Sequence, residues 1–316
     1  MTAPHTPATA ERRVASVFID GEAGTTGLGI RDRLSGRSDI QLRSVDPARR
    51  KDPAARQALM AEVDVVILSL PDAAAKEAAA LVEALGEDAP RLLDASSAHR
   101  VAPGWTYGFA ELAAGQRDAI VSARRVSNPG CYPTGAIALL RPLVDAGLIP
   151  ADHPISVNAV SGYSGGGRTM IEEFDGGSGP AFELYGLGFE HKHVPELQLY
   201  AGLARRPIFV PSVGRFRQGM LVSIPLHLAT LPGRPTGRDL EGALRAHYRE
   251  GGLVSVVTAE PNARLEPEAL NDTDAMELRV FSHEAHGHAL LVARLDNLGK
   301  GASGAAVQNL GLMLGL

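Results

Sequence analysis

The chain has 316 residues with 45% apolar content, enough for one large or two moderate packed domains. A net charge of −5, 5% aromatics and no long basic run argue against a nucleic-acid or anionic-membrane partner. A single cysteine excludes an intrachain disulfide and suits a reducing cytoplasm; no run reaches the ~18 apolar residues of a membrane span.

Residues 1–13, rich in Ala, Thr and Pro, lack an apolar run and read as a disordered leader rather than a signal peptide. Residues 14–19 predict a buried strand that runs into Asp20-Gly21-Glu22-Ala23-Gly24-Thr25-Thr26-Gly27. Leu28, Ile30 and Leu34 then carry helical spacing to Gly36. Strands follow at 40–45, 63–70 and 91–94, and helices at 54–61 and 73–85, the latter with Asp72 as its candidate cap. Strands alternating with helices predict a parallel, doubly wound, Rossmann-like α/β sheet. Beyond residue 150 the strands at 155–160, 208–210, 220–228, 254–257, 277–281 and 289–295 are closely spaced, which predicts an α+β domain with a mostly antiparallel sheet. A helix over 305–314 closes the chain. The expected division is 1–130 for a cofactor-binding domain, completed by 298–316, and 131–297 for a catalytic and dimerisation domain.

Gly21, Gly24 and Gly27 form GxxGxxG between a strand and a helix, where glycines permit a tight turn and let backbone amides approach a pyrophosphate. Thr25 and Thr26 add hydroxyl donors. Ser69 and Pro71, at the end of the third strand, are further expected cofactor contacts. After the second strand come Asp46 and Arg49-Arg50-Lys51: an acid here holds a ribose diol, whereas arginine accepts a 2′-phosphate, so NADP is favoured and Asp46 keeps NAD open. A plain glycine turn and a solvated basic loop are the alternatives.

The lone cysteine lies in Ser127-Asn128-Pro129-Gly130-Cys131-Tyr132-Pro133-Thr134-Gly135. A turn precedes it, and Pro133 opens an apolar helical run, so the thiol is placed at or just before a helix N-terminus. Orphan amides and the helix dipole there favour a thiolate, the form that acts as nucleophile. The competing reading is a small buried hydrophobe. His191-Lys192-His193 supplies a base near working pH. On an extended segment 191 and 193 face one side; His193 is assigned as base and His191 as substrate contact, with little to separate them. No third ligand accompanies HxH, so no metal is expected. Ser161 and Gly162 open a glycine-rich loop that ends at Arg168, a bidentate carboxylate grip.

These segments resemble the shorter form of the N-acetyl-gamma-glutamyl-phosphate reductases of arginine biosynthesis: 18–28 (FIDGEAGTTGL), 127–136 (SNPGCYPTGA), 161–168 (SGYSGGGR), 191–197 (HKHVPEL) and 296–309 (DNLGKGASGAAVQN). The resemblance implies NADPH-dependent reduction of an acyl phosphate to an aldehyde through a Cys131 thioester, in a cytoplasmic homodimer or homotetramer. It further implies Asn128 and Arg100 as substrate contacts, and Asn297 and Gly301 near the nicotinamide. Arg100 ends Ser96-Ser97-Ala98-His99-Arg100, whereas the longer enzymes carry an acid and an aromatic ahead of the arginine. Rival expectations are an aspartate-semialdehyde dehydrogenase, an aminoadipyl-phosphate reductase of the same mechanism, and a non-catalytic NADP-sensing protein.

Overall fold

A computed structural model describes residues 13–248 and 251–316; the leader expected over 1–12 lies outside them. The first half builds a six-stranded parallel sheet from β1 (Ala15–Asp20), β2 (Ile40–Arg43), β3 (Val65–Leu68), β4 (Arg91–Asp94), β5 (Thr106–Tyr107) and β6 (Arg125–Ser127), in the order β2-β1-β3-β4-β6-β5. Helices α1 (Thr25–Leu34), α2 (Pro53–Met60), α3 (Asp72–Glu83) and α4 (Gln116–Ser122) connect them. β3 reads Val-Val-Ile-Leu and is buried throughout, as a strand covered on both faces must be. It is shorter than the apolar run around it. Asp72 does not cap α3 but is its first residue; its carboxylate accepts from the Ser97 amide and hydroxyl, which draws it away from the helix amides.

After α5 (Cys131–Asp145) the chain forms a seven-stranded sheet with α6 (Gly167–Asp175), α7 (Val194–Tyr200) and α8 (Gly237–His247). Its strands are β7 (Ser156–Gly162), β8 (Phe182–Leu184), β9 (Ile208–Gly214), β10 (Met220–His227), β11 (Val254–Val256), β12 (Met276–His283) and β13 (His288–Leu295). Four of its six pairings are antiparallel; β7–β9 and β11–β12 are parallel. One face packs on α5, whose residues from Tyr132 to Leu140 are all buried and join Val222, Ile224, Leu291 and Leu295 in one core. The last helix, α9 (Gly304–Leu314), returns to the first sheet, where Ala306, Leu310 and Met313 pack with Val17, Ile30 and Leu93. Both sheets therefore meet around the segment joining β6 to α5, the segment that carries the cysteine.

The outer face of the second sheet is different. An open apolar cavity of about 590 Å³ lies on it, lined by Phe182, Leu184, Val210, Leu221, Phe281 and Leu290, with none of the predicted site residues among its walls. Phe182 is 57% exposed there, part of a large apolar surface. Among the described residues no helix is long and apolar enough to cross a membrane.

Candidate active site

Cys131 is the first residue of α5, and its N-cap is Gly130, which has no side chain to offer the first-turn amides. The amides of Cys131 and Tyr132 therefore draw on the sulfur, while Pro133 contributes none. Four elements converge on this point. A Cβ at Gly130 would lie 2.5 Å from Arg100 Nη1, 2.6 Å from Glu196 Oε1 and 2.8 Å from His193 Nε2. A Cβ at Gly301 would lie 2.9 Å from the Cys131 Cβ. Only glycine at both positions lets these groups close around Cys131.

Arg100 is held from both sides. Asp94, at the end of β4, accepts from the Ser96 amide, the Ser96 hydroxyl and His99 Nδ1, and the His99 ring stacks on Trp105. That folds the Ser96-to-Arg100 segment back toward the cysteine. The guanidinium then donates to Glu196 at 2.6 Å and to the Asn128 carbonyl at 3.0 Å. Glu196 is 1% exposed and also accepts from Tyr107 Oη at 2.9 Å and the Gly130 amide at 3.1 Å. The sequence reading missed Glu196. It lies three residues after His193, one turn on, where side chains share a helix face, and that spacing was the available signal.

The two histidines do not lie on an extended segment. His193 is the α-region N-cap of α7, and a turn rather than a strand brings the rings together at 4.7 Å, edge to face. His191 Nδ1 accepts the His193 amide. His193 is buried; its Nε2 faces Gly130, and its Nδ1, on the other side of the ring, has no partner. Burial, then the Arg100 charge, pushes His193 well below its ordinary value; burial, then Lys192, pushes His191 down to about 4. Burial pushes the Cys131 thiol up to about 11, with Arg100 the largest opposing influence. The helix N-terminus was expected to stabilise a thiolate, and here desolvation exceeds it, so in this state thiol and imidazole are both neutral near pH 7.

The glycine loop forms the second part of the site. Gly21 has φ +93°, and a Cβ there would lie 2.2 Å from the Ser69 carbonyl oxygen; one at Gly27 would lie 2.5 Å from the Gly21 oxygen. Gly24 is the N-cap of α1, and its Cβ would meet nothing closer than 3.5 Å. The outer glycines thus serve packing, while the middle one has room for ordinary contact only, beside the unshielded amides of Thr25 and Thr26. That geometry fits a dinucleotide phosphate. Pro71 is exposed and caps α3. Asp46 is occupied as a cap, accepting from the Ala48 amide, and Arg49 pairs with Asp52 at 2.7 Å; Arg50 and Lys51 are exposed beside them.

The remaining predicted residues are placed differently from one another. Arg168 is exposed, and its Nη2 donates to the Ala23 carbonyl, joining α6 to the glycine loop. The Asn128 amide donates to the Ala302 carbonyl and accepts from Asn309. The Asn297 amide is likewise engaged, by Gly219 and Ser164. Ser161 is buried, and a Cβ at Gly162 would lie 2.5 Å from the Arg217 backbone. Among the described residues no group of three or more ligating side chains is arranged to hold a metal.

Residues 131–297 match the family model of the semialdehyde dehydrogenase dimerisation domain. Among solved structures, aspartate semialdehyde dehydrogenase II of Vibrio cholerae, complexed with ASA, superposes with a TM-score of 0.71 at 15% identity, over 96% of this chain and 98% of that one. The Candida albicans aspartate semialdehyde dehydrogenase with NADP gives 0.67 at 15% identity, over 95% and 98%. These likenesses are of fold. The sequence likeness is closer elsewhere: the N-acetyl-gamma-glutamyl-phosphate reductases of Brucella ovis and Brucella suis biovar 1 are each 55% identical over 307 residues, 95% of this chain and 98% of theirs. At that identity over almost the full length, the chain belongs to the N-acetyl-gamma-glutamyl-phosphate reductase family.

Proposed function

We propose that this protein catalyses the NADPH-dependent reduction of N-acetyl-gamma-glutamyl phosphate to N-acetylglutamate semialdehyde and phosphate, in arginine biosynthesis, through a thioester on Cys131. The observation that carries the reading is the convergence at Gly130: a thiol at a bare helix N-terminus, with an unpartnered buried imidazole and an Arg–Glu pair against it. As Cys131 attacks the acyl carbon, its proton passes to His193, which is neutral and so free to accept it. The amides of Cys131 and Tyr132 stabilise the negative charge that develops beside the helix start. Collapse of the tetrahedral adduct breaks the carbon–oxygen bond to phosphate and leaves the thioester. When bound, NADPH supplies the hydride that reduces this carbonyl. His193 returns its proton as the carbon–sulfur bond breaks, and the aldehyde departs with the thiol restored.

Gly24, Thr25 and Thr26 hold the pyrophosphate through backbone and hydroxyl donors, Ser69 and Pro71 border the same cleft, and Arg49 and Arg50 meet the 2′-phosphate. His191, Arg168 and the Ser161–Gly162 turn contact the substrate. Asn128, Asn297 and Gly301 act by fixing the backbone around the cysteine. In this reading 1–130 with 298–316 is the cofactor unit and 131–297 the catalytic and dimerisation unit. The apolar outer face of the second sheet is the surface by which a cytoplasmic homodimer or homotetramer assembles, and light scattering of a Phe182→Asp variant tests it by loss of the oligomer.

The deciding experiment runs the reaction backwards, with semialdehyde, phosphate and NADP. Wild type reduces NADP only when phosphate is present, and Cys131→Ser does not while still binding NADPH. Equal rates in both proteins remove the covalent mechanism; NADPH binding with no turnover by either favours a sensor.

A further inference from the structure

Lys300 is 1% exposed, and the mechanism above makes no use of it. It lies in a π-helical turn, Gly299–Ser303, a rare geometry that concentrates at functional sites. The turn is wedged in place. A Cβ at Gly299 would lie 2.0 Å from the Thr273 carbonyl oxygen, one at Gly304 would lie 1.9 Å from Asp274 Oδ1, and Gly301 packs on the Cys131 side chain. The Lys300 side chain extends to the 108–112 loop. Its Nζ donates to both Glu111 oxygens, at 2.9 and 2.8 Å, and to Gln308 Oε1 at 2.7 Å, over the Phe109 ring. Gln308 Nε2 closes the ring of contacts on Glu111 at 2.8 Å. All three ammonium donors are used. A second tether, from Asn128 Nδ2 to the Ala302 carbonyl, ties the same turn to the strand end three residues before the cysteine.

We infer that Lys300 is a positioning residue for the nucleophile: with Glu111 and Gln308 it clamps the 299–303 turn against Cys131 and so fixes the sulfur over the first-turn amides of α5. This rests on Cys131 being the nucleophile. The clamp acts through geometry, because the Lys300 charge is cancelled by Glu111 in direct contact, while the charged neighbours that act on the thiol are Arg100 and Glu196. A buried ion pair adds little net stability over apolar residues of similar volume, whereas breaking one side of it is costly. The pair therefore has to be removed as a unit.

The test is the double variant Lys300→Met/Glu111→Leu, with Gln308→Leu as a milder companion at a half-buried helix position. The double variant is expected to keep its melting temperature close to wild type. Its kcat falls about tenfold or more while KM for substrate and cofactor stays within about threefold, since a small misplacement is felt at the transition state. The iodoacetamide reaction of Cys131 changes in rate. Gln308→Leu lowers kcat by about twofold to fivefold through the same loosening. A folded double variant with wild-type kcat overturns the inference. Should the double variant not fold, Gln308→Leu decides: lowered kcat at unchanged KM supports the clamp, and unchanged kcat overturns it. Failure of the underlying reading is separate, because it shows as activity surviving in Cys131→Ser.

Discussion

Two junctions in this molecule share one local design. β1 enters α1 through Gly24, and β6 enters α5 through Gly130. Both glycines are N-caps without a side-chain bond, and their backbone angles nearly coincide, φ −80°, ψ 162° against φ −76°, ψ 150°. Their surroundings differ. A Cβ at Gly24 would find ordinary contact at 3.5 Å, whereas one at Gly130 would collide with Arg100, Glu196 and His193. The open junction suits a solvated phosphate. At the closed one Cys131 is still only half-buried, yet the desolvation imposed by its crowded neighbours outweighs the helix dipole and keeps the thiol protonated. A bare helix N-terminus is thus only half of an anion site, and its tertiary lid decides whether charge can rest there.

The comparison can be broken in graded steps. Removing the sulfur is the largest: Cys131→Ser is expected to lower phosphate-dependent turnover by about 10⁴-fold or more, measured as NADP reduction, with NADPH binding retained. His193→Gln should lower kcat by about 10²- to 10⁴-fold, with the pH profile losing its dependence on that imidazole. Two glycines of the phosphate loop separate next. Gly21→Ala, strained at φ +93° and facing the Ser69 carbonyl, should lower stability by about 2–4 kcal/mol in denaturant unfolding. Gly24→Ala should unfold as wild type yet bind NADPH about tenfold more weakly, because its methyl fills the cradle and not the core.

The closed junction titrates in a definite sense. Alkylation of Cys131 in the free protein should accelerate with pH toward a midpoint near 11. Arg100→Gln removes the main charge that lowers the thiol and should raise the midpoint; Glu196→Gln removes one that raises it and should lower the midpoint. Midpoints that move together contradict this electrostatic account. The smallest effect belongs to Arg49→Ala/Arg50→Ala, where NADPH should weaken about threefold to tenfold more than NADH, since exposed charges are well screened.

Much of this was legible in the sequence, and the limits have physical causes. The glycine loop, the cysteine turn and the long apolar strands announce themselves because their signals are local. The short helices α6 and α7 gave none: α6 begins on two glycines and α7 spans seven residues with a proline in its first turn. Tertiary packing, not propensity, makes them helical. Glu196 was hidden for a related reason, since its partner Arg100 is 96 residues away. The Lys300–Glu111 pair spans 189 residues, and nothing near the lysine marks it as buried. The turn that joins His191 to His193 likewise depends on where α7 packs, so alternation along the chain mispredicted their backbone while still bringing both rings to one place.

One thiol per polypeptide also makes the protein its own stoichiometer. Every adduct counted by intact-mass spectrometry is one silenced centre, with no background from other thiols to subtract. Plotting residual turnover against adducts per chain then reports whether the subunits of the proposed oligomer work independently: a straight line to one adduct means they do, and activity exhausted at half that value means they alternate.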